Sequence, residues 1–417
     1  MMLNKFGIGS KIIVSISLML ALCMGLMSAI LISLSMKTSA EDAEKLLVNT
    51  SKRAGNALEG YINEIFVALN YSQRVLDTYL RSNMLNESNM QETLATLLDS
   101  NQWMKYAYIY IKDASKIKGL GKQYLLQDGG ALIYGIDNEP NRKGGIEILP
   151  NDLTILSDSG VQEALKKAKV SVGDPTLGAT QQQDSMRVTL NYPIFSQDGA
   201  VEGVVGVTLH TKLVAEDMFS ERRKVFPDAY RVLLTNDSAL IVHPNEGFLG
   251  RTLRDINKEN ITIKPLLDAL EKGTSGIYEF INLYGKDSMA GLASFEVGRG
   301  LSGKHWGTII IAPKDSVYQS VYTLVKIIAI SVILCVIVVS LFTFVYVRTT
   351  IARRIYKISH TLFEFFNYLN HKRQTPPEPL RIIAQDELGQ MGLAINENIQ
   401  QTKIGLEQDA KAVEQSV

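Results

Sequence analysis

Only two of the 417 residues are cysteine, Cys23 and Cys335, and both fall inside apolar runs. No disulfide can therefore support whatever lies between them, even in an oxidising compartment. Neither sign of charge is in excess: 43 Lys and Arg stand against 43 Asp and Glu, which gives no reason to expect a nucleic-acid partner. Catalytic spacings are missing too, with no His-Glu-x-x-His, phosphate loop or nucleophile elbow. His210 and His243 have carboxylates nearby but sit on separate predicted strands without ligand spacing, and each reads as structural. The chain is expected not to be an enzyme, to use no cofactor and to hold no metal.

Long apolar runs are what the sequence does have. Ile327 to Val347, IIAISVILCVIVVSLFTFVYV, carries no charge, Pro or Gly, and at a rise of ~1.5 Å per residue it is just long enough to cross the ~30 Å hydrocarbon layer. Ile12 to Leu34 contains only Ser, Gly and apolar residues, with Lys5 and Lys11 before it and Lys37 after it. It exceeds the apolar centre of a signal peptide, about 7–15 residues, and Ser33-Leu34-Ser35 is a poor cleavage site, so an uncleaved first span is preferred. Arg348, Arg353, Arg354, Lys357, Lys372 and Arg373 follow the second span. Short-loop basic residues mark the cytoplasmic side, so both ends are expected there, with the segment between the spans outside. That segment is long enough for one large or two modest domains.

From Lys37 to Arg81 there is no Pro or turn cluster. Ala54, Leu58, Tyr61, Ile65, Ala68, Ser72, Val75 and Tyr79 recur at steps of three and four, which predicts one long helix with either a self-association seam or a core face. A short helix is expected at Met90–Leu98, then aromatic and β-branched strands at Tyr106–Ile111, Gln123–Leu126 and Ala131–Ile136. An irregular polar stretch with Gly144-Gly145 and Leu149-Pro150 leads to a helix near Gly160–Ala168 and a strand at Val170–Gly173. Met186–Phe195 and Gly203–His210 form an antiparallel pair around Ser196-Gln197-Asp198-Gly199. After a helical pattern from His210 to Val225, a second set of strands is expected: Tyr230–Thr235, Leu240–His243, Gly276–Leu283, Met289–Phe295 and Trp306–Ile311, with a helix near Ile263–Glu271.

Beyond the second span, Ile351, Ile355, Ile358, Leu362, Phe365 and Leu369 alternate steps of four and three. A loop from His371 to Gln385 contains Pro376, Pro377 and Pro379. A second helix begins at Asp386, a predicted N-cap, with the series Leu388, Met391, Ile395, Ile399, Thr402, Leu406, Ala410, Val413 and Val417. Two such helices can lie parallel and form a four-helix bundle in a dimer. Consecutive steps of four, Met391 to Ile399 and Thr402 to Ala410, unwind the seam locally.

This order resembles a bacterial methyl-accepting chemotaxis receptor. The outer segment resembles a double Cache sensor through YAYIYIKD, Asp174-Pro175, VTLNYPIF, GVVGVTL and VLLTNDSALIVHPN. Asp386-Glu387-Leu388-Gly389-Gln390-Met391 and Ala394-Ile395-Asn396 resemble a HAMP relay. The fold class is therefore α+β: a long helix plus two antiparallel-sheet, Cache/PAS-like modules, two transmembrane helices and a HAMP-type parallel bundle. The division expected is a tail 1–11, span 12–34, periplasmic sensor 35–322 (helix 37–81, distal module 90–210, proximal module 226–313), span 323–347, HAMP 348–400 and the start of a signalling helix at 401–417. Thr349 to Arg354 lacks the proline usual at the start of a HAMP helix, and the chain reads as truncated after HAMP.

The resemblance implies an inner-membrane homodimer, gathered in receptor clusters, that binds a small molecule in the distal module. It would act through a chemotaxis kinase and adaptor engaged by a further C-terminal region; a histidine kinase or diguanylate cyclase with the same input is the alternative. Tyr106, Tyr108 and Tyr110 share one strand face because side chains alternate with period two, a face that suits a small-molecule pocket or a packed core. Tyr124, Tyr134, Asp174 and Thr189 join them as candidate ligand residues. Lys105, Lys112, Lys122 and Arg187 are cations suited to a small carboxylate such as a hydroxy acid. Amino-acid-binding relatives carry Arg-x-Trp-Tyr and an Asp shortly after the proline matching Pro175. This chain has neither, Thr176-Leu177-Gly178 standing there, so standard α-amino acids are not the expected main ligand.

Overall fold

The computed structural model describes residues 8–149, 152–177, 186–370 and 372–415; Lys5, Pro150, Gly178, His371 and Val417 lie outside them. The chain divides into two compact units, Met1–Met36 with Ser320–Val417, and Lys37–Gln319. Helix α1, Ile8–Arg81, contributes to both.

In the first unit, α1 begins within an apolar stretch whose side chains are turned outward: Leu26 is 66% and Ile30 67% exposed. Gln319–Tyr346 is the other long apolar helix, and the two are long and apolar enough to cross a membrane. Only a helix can carry a run of outward Leu and Ile through lipid while satisfying its own backbone. Ser17 and Ser340 share a hydrogen bond at 2.7 Å between their hydroxyls. A π-helical turn, Val347–Ala352, precedes helices at Arg353–Leu369 and Glu387–Gln415. Asp386 caps the last of these, accepting from Gly389 N at 2.9 Å, and takes two 2.6 Å hydrogen bonds from the Arg354 guanidinium. A Cβ at Gly389 would strike the Ala384 carbonyl, which is why glycine follows Asp-Glu-Leu. Asn396 clamps Leu380, accepting from its N–H at 2.7 Å and donating to its carbonyl at 2.9 Å.

Among the described residues the second unit contains two large antiparallel sheets and a two-stranded ribbon, so the mixed helix-and-sheet class expected from sequence is the class observed. Its distal sheet uses β1 (Met104–Ile111), β2 (Ala131–Asp137), β3 (Ile146–Leu149), β4 (Ser171–Val172), β7 (Thr189–Phe195) and β8 (Val201–Leu209), in the order β3-β2-β1-β8-β7-β4. A small ribbon pairs β5 (Thr176–Leu177) with β6 (Met186–Arg187). One face of the distal sheet, including Ala107, Ile109, Ile133, Leu190 and Val207, packs against α1 and against α2 (Glu87–Asp99) through Met90, Leu94, Leu97 and Leu98. Leu58, Ile65 and Ser72 of the predicted stripe on α1 are buried in this unit, and Tyr61 stacks on Trp103 at 4.0 Å. Of the two readings of that stripe, the core face is the one realised.

Two expectations change here. Gln123–Leu126 is not a strand: Lys122–Tyr124 is a single 3-10 turn, because the turn that closes from Leu126 to Gly130 starts too early for pairing to extend beyond a lone bridge between Leu125 and Ala131. Conversely, the stretch read as irregular contains β3, whose Ile146 and Ile148 alternate over too few residues to stand out between two glycines and Pro150.

The proximal sheet has the order β10-β9-β13-β12-β11, made of β9 (Tyr230–Thr235), β10 (Leu240–Val242), β11 (Gly276–Ile281), β12 (Asp287–Glu296) and β13 (His305–Pro313). One core places Leu266, Leu267 and Leu270 of the helix Lys264–Glu271 with Val232, Leu292 and Ile309; a second places Ala43 and Leu47 of α1 with Met289, Ile310 and Ala312.

Candidate ligand site on the distal sheet

The register decides which side chains meet on the second face of the distal sheet. Opposite one another across the strands stand Ser171, Asn191, Gly206, Tyr108, Tyr134 and Leu149. The neighbouring rows hold Thr189, Thr208, Tyr106 and Ile136 on one side, and Pro193, Val204, Tyr110 and Leu132 on the other. Since side chains alternate with period two, these rows share one face, and the sequence prediction that Tyr106, Tyr108 and Tyr110 lie together holds. Tyr134 and Thr189 join them.

The face is covered by the 3-10 turn Leu153–Ser157 and by helix Ser159–Lys167, whose Ile155, Val161 and Ala164 pack on the tyrosines. Asp158 is the N-cap of that helix, accepting from Gly160 N at 2.9 Å, and the same carboxylate oxygen accepts from Thr189 Oγ1 at 2.6 Å. Ser171 Oγ donates to the Gly160 carbonyl at 2.6 Å. The helix end is thus tied to the sheet by side chains of both partners.

A buried polar chain runs on from there. Asn191 Nδ2 donates to Thr189 Oγ1 at 3.0 Å, and the Tyr108 hydroxyl donates to Asn191 Oδ1. Gly206 lies beneath this last bond, and a Cβ there would collide with both Tyr108 Oη and Asn191 Oδ1. Arg187 donates from Nη1 to Thr154 Oγ1 at 3.0 Å and pairs with Asp152 at 3.5 Å. Among the described residues, Asp158 Oδ2 and Arg187 Nε of this face have no hydrogen-bond partner. Both side chains lie near enough to the Tyr108 phenol to act on it electrostatically, with opposite signs.

Burial pushes the Tyr108 hydroxyl far above its usual range, with the Asp158 charge adding to it, and Tyr134 is raised by burial and then by Asp152. Tyr106, stacked on Tyr134 at 5.3 Å, and Tyr110, beside Asp128, are raised for the same reasons. The phenols therefore stay protonated and present donors, not nucleophiles. Among the described residues no group of His, Cys, Asp and Glu could hold a metal. What this covered face offers chemically is hydrogen bonding, from protonated phenols and from the Asp158 and Arg187 groups beside them.

Three candidates are not brought to this face. Tyr124 belongs to the α2 side of the sheet, its hydroxyl near Gln91 Nε2 at 3.1 Å, and Lys122 is exposed on the same short turn. Asp174 is exposed and bound to Lys304 of the proximal hairpin at 2.9 Å. Closeness to a strand in sequence does not carry across a turn. Of the other cations, Lys112 donates to the Val201 carbonyl and Lys105 lies over the Tyr106 ring at 5.4 Å. Asp158, Asn191, Thr154 and Asp152, which the sequence reading did not single out, also stand at this face.

No protein-family profile matches the chain, and no curated protein matches it. Solved structures do. The periplasmic sensory domain of the Campylobacter jejuni chemoreceptor Tlp1 superposes with a TM-score of 0.61 at 26% identity, covering 67% of this chain and 98% of that one. A structure named Methyl-accepting Chemotaxis protein X gives 0.52 at 16% identity, covering 67% and 96%. The extracellular domain of a protein described as a histidine kinase, mmHK1S-Z3, gives 0.53 at 16% identity, covering 69% and 99%. At such identities the last two share the fold alone. The outer unit of this chain is similar to the periplasmic sensory domain of a chemoreceptor and shares its fold with the other two structures.

Proposed function

We propose that the chain is a transmembrane chemoreceptor sensor. A small extracellular molecule binds on the tyrosine face of the distal module, and the second apolar helix with the two helices after it relays binding to a cytoplasmic chemotaxis kinase complex. The observation that carries this reading is the likeness of the outer unit to nearly the whole sensory domain of a chemoreceptor, in a chain where that unit lies between two helices apolar enough to span a membrane. The Arg354–Asp386 pair and the Asn396 clamp on Leu380 support a HAMP-type relay, since they fix a connector that must hold two parallel helices in step. Any ligand shifts such a relay only by its differential affinity for the two states.

The free atoms on the face define the ligand class. Arg187 Nε suits a carboxylate and Asp158 Oδ2 suits a donor, so the ligand is a small organic acid that also carries a hydroxyl or amino group. A homodimer is supported by Gly60, Glu64, Val67 and Tyr71 of α1. They repeat at steps of four and three on its outer side, and Val67 and Tyr71 are 58% and 69% exposed.

A thermal-unfolding panel of hydroxy acids, amino acids, sugars and amines tests the binding: a ligand at about 100 times its dissociation constant stabilises by roughly 2.7 kcal/mol. Stabilisation by acids with a donor group is expected, and stabilisation by sugars alone would contradict the site. A second reading, the same sensor feeding a histidine kinase or a diguanylate cyclase, draws support from the histidine-kinase fold likeness. Deleting the gene separates the two: loss of movement toward the ligand with swimming intact supports the chemoreceptor, and loss of a ligand-dependent transcriptional response alone supports the kinase.

A further inference from the structure

Arg231 of β9 is only 7% exposed. Its guanidinium donates from Nη1 to the Met218 carbonyl at 2.8 Å and from Nη2 to the Arg223 carbonyl, while Nε is buried without a partner among the described residues. An arginine keeps its charge inside a protein, so a full positive charge is buried against two neutral carbonyls, an arrangement that costs stability unless a counter-charge completes it.

The surroundings add to the need. A cavity of about 350 Å³ is lined by Arg231 together with Arg53 of α1 and with Arg222 and Arg223 from the segment that follows the helix Thr211–Phe219. The one carboxylate lining it, Asp217, already pairs with Arg223 at 2.8 Å. Arg53 and Arg222 are exposed at the rim, and neither has an ion pair among the described residues. Four guanidinium groups thus share one cavity with a single, committed carboxylate.

We propose that this cavity is an anion site that takes a small, doubly charged oxyanion: phosphate, sulfate or a short dicarboxylate. Planar guanidinium forks match oxyanions through paired hydrogen bonds, and the volume is at the small end of ligand cavities. Arg53 and Thr50 stand on α1, whereas Arg222, Arg223 and Arg231 stand on the entry to the proximal sheet. A bound anion fastens the long helix to the proximal module and so sets how far α1 can move. The proposal does not depend on what binds the tyrosine face.

The test is calorimetric titration of the full chain in phosphatidylcholine nanodiscs with inorganic phosphate, sulfate or succinate, each at constant ionic strength in chloride. Saturable binding of at least one anion is expected, and the pattern among the three identifies the source. The combined Arg53→Ala and Arg222→Ala variant changes only exposed rim residues and should weaken binding by about tenfold or more. Arg187→Ala, on the distal face, should leave it unchanged. Arg231→Gln should abolish it, although this residue also packs, so the rim variant decides. No saturable binding by any of the three overturns the proposal, as does equal affinity in wild type and rim variant. Loss in Arg187→Ala with retention in the rim variant overturns it too, by moving the anion to the distal face.

Discussion

Tyr108 and Asn191 are both fully buried, and each is the other's partner. Tyr108→Phe strands the Asn191 carbonyl and is expected to cost about 1–3 kcal/mol, read as a lower thermal midpoint of the purified chain. Gly206→Ala should cost a similar amount, about 1–3 kcal/mol of overpacking, because its methyl meets the same two oxygens. In the helices after the second apolar helix, the Arg354 fork and then the Gly389 amide hold the Asp386 carboxyl down to about 2. A carboxylate with a depressed folded value stabilises above its unfolded value, near 3.9, and loses that contribution as pH falls from there toward 2. Melting of Asp386→Asn against pH should therefore lack that acid-limb loss; an unchanged acid limb would show the pair to be idle.

At the scale of elements, the strands rich in Tyr, Ile and Val were legible because period-two alternation and turn residues mark them. So was the row Tyr106, Tyr108 and Tyr110, which follows from alternation alone. What the register adds was not legible. Asn191 lies in a predicted strand, but its meeting with Tyr108 depends on Gly206 standing between them in β8. Asp158 did carry a signal, an Asp before Ser-Gly at the start of a predicted helix, which reads as an N-cap; that its carboxylate also serves Thr189 needs the helix docked. Lys122, Tyr124 and Asp174 stand away from that face for the converse reason, since turns direct them elsewhere. The helix α2 behaves as an apolar wedge, and Leu94→Ala, fully buried against the sheet, should cost about 2–5 kcal/mol. His210 and His243 use Nδ1 as an acceptor, from Leu213 N and Asn245 N, and burial holds both below the usual imidazole range, with Lys105 adding to the effect at His210. The unfolded chain takes up these protons near pH 6.5 and the folded one resists, so stability is complete above that value and falls below it. The combined His210→Asn and His243→Asn variant should show a flatter melting profile between pH 7.5 and 5.5.

At the scale of the whole molecule, an outer unit with a tyrosine-lined face stands in a chain with two membrane-competent helices and a capped, clamped helical pair. The central claim is that the distal face binds a small acid through Arg187 and Asp158. The most direct test is calorimetric titration of the full chain with the acid that raises its melting temperature most, in wild type, Arg187→Ala and Asp158→Asn. The account predicts that each substitution weakens binding by about tenfold or more. Unchanged affinity in both variants would contradict it.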